Sequence, residues 1–152
     1  MKNRMKLAFA GTLMFLGTAG VAHAKTLETM TVYKTPWCGC CEVWTRAMQK
    51  AGFKVNVKDI DDLTLIKRTA GIPEQLEGCH TAKLGRYYVE GHVPLQAITK
   101  LVAERPDVRG IAVAGMPMGS LGMGYDPKAR YDVMAFGLRT NENPVVFHEA
   151  GK

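Results

Sequence analysis

The chain has 152 residues, 47% of them hydrophobic and 22% charged, with a formal net charge of +6. That is enough apolar material for one domain with a real core, so disulfides are not required for folding. Its Lys and Arg residues are scattered among acids, which excludes the basic patch of a nucleic-acid-binding surface.

Residues 1–24 read as a secretory signal. Lys2, Arg4 and Lys6 form a basic start, Leu7 to Val21 is apolar and small, and Ala22-His23-Ala24 fits a small-x-small cleavage site. The apolar run is short for a membrane-spanning helix and is broken by Gly11, Gly17 and Gly20. Export without a membrane anchor in the mature form is therefore expected. Cleavage leaves residues 25–152 as one domain and removes three of the positive charges.

In the mature part, Met30-Thr31-Val32-Tyr33 predicts a strand running into Thr35-Pro36. Trp44, Ala47, Met48 and Ala51 recur at i, i+3, i+4 and i+7, the buried stripe of a helix that Gly52 ends. Phe53, Val55 and Val57 alternate with polar neighbours and predict a second strand. Strand, helix and strand with short connections make a parallel unit with a right-handed crossover. Asp61 or Asp62 caps a short helix through Leu63 and Ile66, ended by Gly71, and Pro73 starts another turn.

Cys79-His80-Thr81-Ala82 then leads into a strand-like stretch around Leu84 to Val89. Gly91-His92-Val93 turns into Pro94, a favoured first helical residue. Leu95, Ile98, Leu101 and Val102 form the next apolar stripe, closed by Arg105-Pro106. Beyond lie Ile111-Ala112-Val113, a Gly/Met loop from Gly115 to Gly124, and strands near Tyr131 to Phe136 and Val145 to His148. With no repeat or interdomain linker, one α/β domain is the economical reading.

The chemistry concentrates in Trp37-Cys38-Gly39-Cys40-Cys41, which holds three of the four cysteines at the start of the first helix. Free N–H groups there favour negative charge and lower thiol pKa values. Cys40 and Cys41 are adjacent and poorly placed to bridge each other, so the run reads as a site rather than a staple. Cys38 and Cys41 have the C-x-x-C spacing of a redox motif. The segment resembles the thioredoxin active site, Trp-Cys-Gly-Pro-Cys, with Cys40 where the proline would stand. In that likeness the facing loop carries a cis-proline; here it is Cys79-His80-Thr81-Ala82, without proline and with the fourth cysteine. Three crowded thiolates repel unless oxidised or bound to a cation, and a fourth facing them favours metal over thiol–disulfide exchange.

Four cysteines suit zinc, an iron–sulfur centre or Cu(I), and spacing alone leaves these open. Met116, Met118 and Met123 tilt the choice, because they lie in a Gly/Pro-rich loop and thioethers are good Cu(I) ligands but poor zinc ligands. In an extended segment neighbouring side chains face opposite ways, so Cys79 and His80 are not expected to reach one site. His92 is a ligand, a proton shuttle or a hydrogen-bonded turn residue, with the structural role of each histidine favoured over ligation. His148 has no companion motif, and Trp37 and Trp44 read as packing residues.

Four motifs occur in order: Trp-Cys-Gly-Cys-Cys, Cys-His-Thr-Ala, Val-Glu-Gly-His-Val-Pro (Val89 to Pro94) and Gly-Met-Pro-Met-Gly-Ser (Gly115 to Ser120). Together they resemble the CopG-type periplasmic copper-resistance family, a thioredoxin-like group formerly described as a domain of unknown function. The resemblance implies a thioredoxin-like α/β sandwich with a central mixed sheet and a Met-bearing C-terminal extension. It also implies a cysteine-bridged multinuclear Cu(I) cluster held by Cys38, Cys40, Cys41 and Cys79, in the periplasm of a Gram-negative cell. Met116, Met118, Met123 and His92 match family motif positions as further metal residues. Ala114 and Leu121 depart from the pattern, which has proline at both, and this bears on loop stiffness.

Three functions follow as expectations. The first is copper tolerance through a Cu(I) cluster that interconverts Cu(I) and Cu(II), an oxidoreductase with no catalytic side chain assigned outside the metal site. The second is a thiol–disulfide oxidoreductase. The third is a non-catalytic store or chaperone passing copper to an efflux or periplasmic copper-handling partner. The site itself is expected at the edge of the sheet, near the amino end of the first mature helix.

Overall fold

In a computed structural model that describes residues 28–137 and 143–152, the first strand, β1 (Met30–Lys34), buries Met30, Val32 and Lys34 on one register of its pleat. The signal read at residues 1–24 lies outside the described residues. From β1 the chain enters α1 (Gly39–Lys50), whose buried residues Cys41, Trp44, Thr45 and Met48 follow the i, i+3, i+4, i+7 rhythm of one apolar face. It returns in β2 (Val55–Asp59), which pairs parallel with β1, as the strand–helix–strand reading requires. β2 is an outer strand and mostly exposed, so its alternation buries little.

The Asp62 side chain accepts the Thr64 N–H at 2.8 Å and starts α2 (Thr64–Ala70), and a short 3₁₀ turn follows at Glu74–Leu76. The stretch expected as one strand around Leu84 to Val89 is instead a hairpin of β3 (Thr81–Leu84) and β4 (Tyr87–Glu90). Gly85, at φ +55°, opens the two-residue turn between them. The apolar pattern runs on through the turn because Leu84 and Tyr87 are both buried on its two sides. Pro94 stands just before α3 (Leu95–Glu104) in an extended conformation, one residue earlier than expected. β5 (Gly110–Ala112), β6 (Tyr131–Phe136) and β7 (Val145–Ala150) complete the chain.

The strands form one mixed sheet in the order β2-β1-β3-β4-β5-β6-β7, parallel at β1/β2 and β4/β5 and antiparallel elsewhere. Its faces differ in cover. Trp44 and Met48 of α1 and Ile98 and Leu101 of α3 pack with Val32, Leu84, Val89 and Ile111 in the larger core. Ala70 of α2, Ile72 and Leu76 pack with Ala112 and Phe136 in a smaller one. Ile111 and Ala112 are consecutive in β5, so the two cores lie on opposite faces of the sheet. Complete burial of Leu84, Ile98, Leu101 and Ile111 stabilises by roughly 1.5–3 kcal/mol per side chain, and it fixes α1 and α3 over the strands that carry the site.

Candidate metal centre

Cys38 is the N-cap of α1, and the first helical hydrogen bond is donated by Glu42 N–H to the Cys38 carbonyl at 3.2 Å. The N–H groups of Gly39, Cys40 and Cys41 therefore have no acceptor within the helix, and they bias the first turn towards negative charge. Cys41 is fully buried at the base of the apolar face, while Cys38 and Cys40 are half-buried beside it. Trp44, one turn on, donates from Nε1 to the Val93 carbonyl at 2.9 Å and ties α1 to the segment carrying His92.

Cys79 comes from the other side. It sits in a bend just ahead of β3, with its sulfur 3.4 Å from that of Cys41 and 3.9 Å from that of Cys40. Cys38 and Cys40 sulfurs are 3.5 Å apart. All four sulfurs lie within 4.8 Å of one another. The site is beside the amino end of α1, as expected, and at the ends of β1 and β3, which are interior strands, so the edge it occupies is that of the strand ends. The physical reason is that α1 and β3 both start at the same end of the β1–β3 pair, where Tyr33 is paired with Thr81.

Cys38 and Cys41 form a disulfide, and Cys40 and Cys79 are free thiols. Each free thiol touches a different end of that bond. Burial, with Cys40 alongside, pushes the Cys79 thiol up to about 12, so it is protonated beside the Cys38–Cys41 disulfide.

The expectation that Cys79 and His80 cannot share a site is corrected. His80 Nδ1 lies 3.4 Å from the Cys79 sulfur, and Cys79, His80 and His92 form a second group of ligand atoms within 4.8 Å. The alternation rule fails because Cys79 occupies a bend rather than extended strand. His80 is wholly buried, tilted against Trp44 at 4.5 Å and edge-on to His92 at 5.2 Å between ring centroids. Burial, with His92 and Lys67 nearby, holds it well below its ordinary pKa, so it is neutral. Its Nε2 is buried without a hydrogen-bond partner.

His92 is also buried, and burial lowers its pKa. Its Nδ1 lies 2.7 Å from the Leu121 carbonyl, which can only accept, so Nδ1 carries the proton. Nε2 is then a bare lone pair, and it faces the Cys79 sulfur at 2.9 Å. That is the arrangement of an imidazole oriented for a proton or a metal.

The Gly/Met loop is held against the site at two points. Gly115 N–H donates to the Glu77 carbonyl at 2.9 Å, and a Cβ added at Gly122 would lie 2.7 Å from the Cys40 carbonyl oxygen and 2.9 Å from His92 Nδ1. Met123 is half-buried, whereas Met116 and Met118 are 53% and 78% exposed. Trp44 packs as expected. Trp37 does not: it is 72% exposed beside Cys38. His148 lies on β7 and belongs to neither ligand group.

Behind Cys79 lies a polar group to which the sequence motifs assign no role. Glu90 and Lys67 form a buried ion pair, Glu90 Oε1 accepts the Gly78 N–H at 2.7 Å, and Oε2 accepts the Thr81 hydroxyl at 2.6 Å. Lys67 donates to the Gly78 carbonyl at 2.9 Å. The available signal was Glu90 itself, an acid closing the otherwise uncharged strand Tyr87-Tyr88-Val89 two residues before His92.

With the Cys38–Cys41 bond reduced, four thiols and an oriented imidazole make a soft donor set, suited to soft ions such as Cu(I) and unsuited to hard cations. Comparison with known proteins agrees in kind. The solved structure named "Copper resistance protein copG- Form 1" is 34% identical, covering 83% of this chain and 99% of that one, with a TM-score of 0.73. "Copper resistance protein copG- Form 2" is 35% identical, covering 81% and 98%, also with a TM-score of 0.73. A family model described as "Protein of unknown function, DUF411" matches residues 76–123, the stretch from Leu76 through Cys79 and His92 to Met123. No curated protein matches.

Proposed function

The chain belongs to the CopG copper-resistance family, and from that premise we propose an exported copper-binding protein that serves copper tolerance. Residues 1–24 are the export signal, and residues 25–152 are the working domain in the periplasm. The order β2-β1-β3-β4, with α1 crossing between β1 and β2, supports the thioredoxin-like reading of the first half. On that reading β5, β6, β7 and the Met loop form the extension.

One observation carries the proposal: the sulfur of Cys79, 38 residues beyond Cys41, comes within 3.4 Å of it. Cys38, Cys40, Cys41 and Cys79 would hold Cu(I) as a multinuclear, thiolate-bridged group, with His92 Nε2 as a further ligand. Bound copper would supply a one-electron couple. The protein's own part is to hold four sulfurs together at a helix start that favours negative charge, and to fix the His92 tautomer through Leu121. Met116 and Met118, exposed on the loop, are suited to passing copper between solvent or a partner and the buried sulfurs; Met123 lies nearer the interior.

Reduced protein titrated with Cu(I) without oxygen should take up several coppers per chain, counted by elemental analysis. Cys79→Ser should lose much of that uptake, and full loading in Cys38→Ser, Cys40→Ser and Cys41→Ser variants would remove the proposal.

The Cys38–Cys41 disulfide favours a second reading, thiol–disulfide oxidoreduction. Reduction of insulin by metal-free protein is its test, and a rate at the uncatalysed background excludes it.

A further inference from the structure

Gly78, the residue before Cys79, has no side chain with which to anchor itself, and it cannot have one. A Cβ there would lie 2.6 Å from the Cα of Gly91, which is backbone and cannot move aside cheaply. The bend that presents Cys79 must therefore be held by polar contacts to the backbone. Both backbone groups of Gly78 are taken, the N–H by Glu90 Oε1 at 2.7 Å and the carbonyl by Lys67 Nζ at 2.9 Å. On the far side of Cys79, the Thr81 hydroxyl donates to Glu90 Oε2 at 2.6 Å. One buried carboxylate thus grips the chain before and after the cysteine, and α2 supplies its counter-charge.

A buried ion pair is a weak source of stability, because losing water from two charges offsets most of their attraction. Glu90 is wholly buried and Lys67 is 7% exposed, so this cost applies in full. Apolar side chains of similar volume would serve the core as well. What they could not supply is the set of hydrogen bonds at Gly78 and Thr81.

We infer that Glu90 and Lys67 are positioning residues that set where the Cys79 sulfur stands relative to Cys40 and Cys41. Their hydrogen bonds go to Gly78, Thr81 and each other, not to a sulfur. They act through the Gly78 backbone, as outer partners that orient a ligand and whose loss weakens a metal site. The inference rests on the copper reading for its purpose, but its geometry can be tested without metal.

The test uses the full mature chain, metal-free and with the Cys38–Cys41 disulfide intact, so that Cys40 and Cys79 are the thiols open to iodoacetamide. Alkylation of each is followed by mass spectrometry, with Cys40 as internal reference. In Lys67→Met/Glu90→Met the grip is gone while volume is kept, and Cys79 should be alkylated severalfold faster relative to Cys40. In Lys67→Met/Glu90→Gln the charges are gone but the amide oxygen still accepts from Gly78, and the rate should return towards the parent.

An unchanged Cys79 rate in the first variant overturns the inference. So does an equal acceleration in the second, which would mean that charge rather than the backbone grip matters. Loss of the folded circular dichroism spectrum in both also overturns it, since the pair would then hold the domain and not the bend. Cu(I) loading of the same proteins, fully reduced beforehand, forms a separate arm. Uptake should fall about 10–100-fold in affinity in the first variant. A parent that takes up no copper ends the copper reading alone, because the alkylation rates judge the positioning role by themselves.

Discussion

His92 stands opposite Cys79, with its Nε2 at 2.9 Å from the sulfur, because of the register of a hairpin. β3 and β4 pair Thr81 with Glu90, and continuing that register two residues outward sets position 79 against position 92. The Leu121 carbonyl then selects the tautomer that leaves Nε2 bare. Replacement by phenylalanine keeps most of the ring volume and removes the lone pair. His92→Phe should weaken Cu(I) binding by about 10–100-fold in competition with a chromophoric chelator. Parent-like affinity would show that this imidazole only fills space.

On the proposed copper reading, the disulfide should make copper uptake conditional on reduction. With Cys38 joined to Cys41, two of the four thiols are consumed. Protein loaded without reductant should take up markedly fewer coppers than the same sample reduced first. Cys38→Ser should narrow that difference, because the Cys38–Cys41 bond can then no longer form. Equal loading of oxidised and reduced protein would count against thiolate ligation by this pair.

Gly122 touches both halves of the site. At φ +98° it adopts a backbone conformation that side chains disfavour, and its added Cβ would press on the Cys40 carbonyl and the His92 ring. Gly122→Ala should cost about 1–3 kcal/mol in urea unfolding from backbone strain, and it should also lower copper affinity. Gly124 also has positive φ but open space around a Cβ, so Gly124→Ala should share the strain and leave copper affinity at the parent value.

Stability of the metal-free protein should fall in mild acid. Burial depresses the pKa values of His80 and His92 below the ordinary 6.5, so between those values and 6.5 the unfolded chain binds protons that the folded one does not. Stability from these groups is complete above 6.5 and is lost as pH falls below it. The slope is at most about 1.4 kcal/mol per pH unit for each histidine. Denaturant midpoints from pH 7.5 to 5 measure this, and His80→Phe should flatten the profile. Burial pushes the Glu90 carboxyl up, which acts in the opposite sense, so the two profiles are compared; identical slopes in the parent and His80→Phe would contradict the neutral, buried state of His80.

Much of the fold was legible locally. The stripe from Trp44 to Met48, the Asp62 start and Gly71 end of α2, and the short strands each reflect a periodicity or a stop signal a few residues long. The β3–β4 hairpin was missed because Gly85-Arg86 is a weak turn signal inside continuing apolar alternation. His80 was set aside by a rule for strands that does not govern a bend, and Trp37 was read as packing when it faces solvent.

By itself, the sequence determined that three sulfurs would share the first turn of one helix, since backbone geometry fixes residues 38, 40 and 41 whatever surrounds them. It also determined that Met116, Met118 and Met123 would lie on a loop, because glycine and proline there forbid regular structure. Tertiary structure alone decided that Cys79 would meet them, that His80 and His92 would flank it, and that Lys67 and Glu90 would hold it in place. Apart from His80, the neighbour of Cys79 in the chain, these contacts join positions 11 to 39 residues apart, and their geometry comes from sheet register and helix packing, which no local pattern encodes.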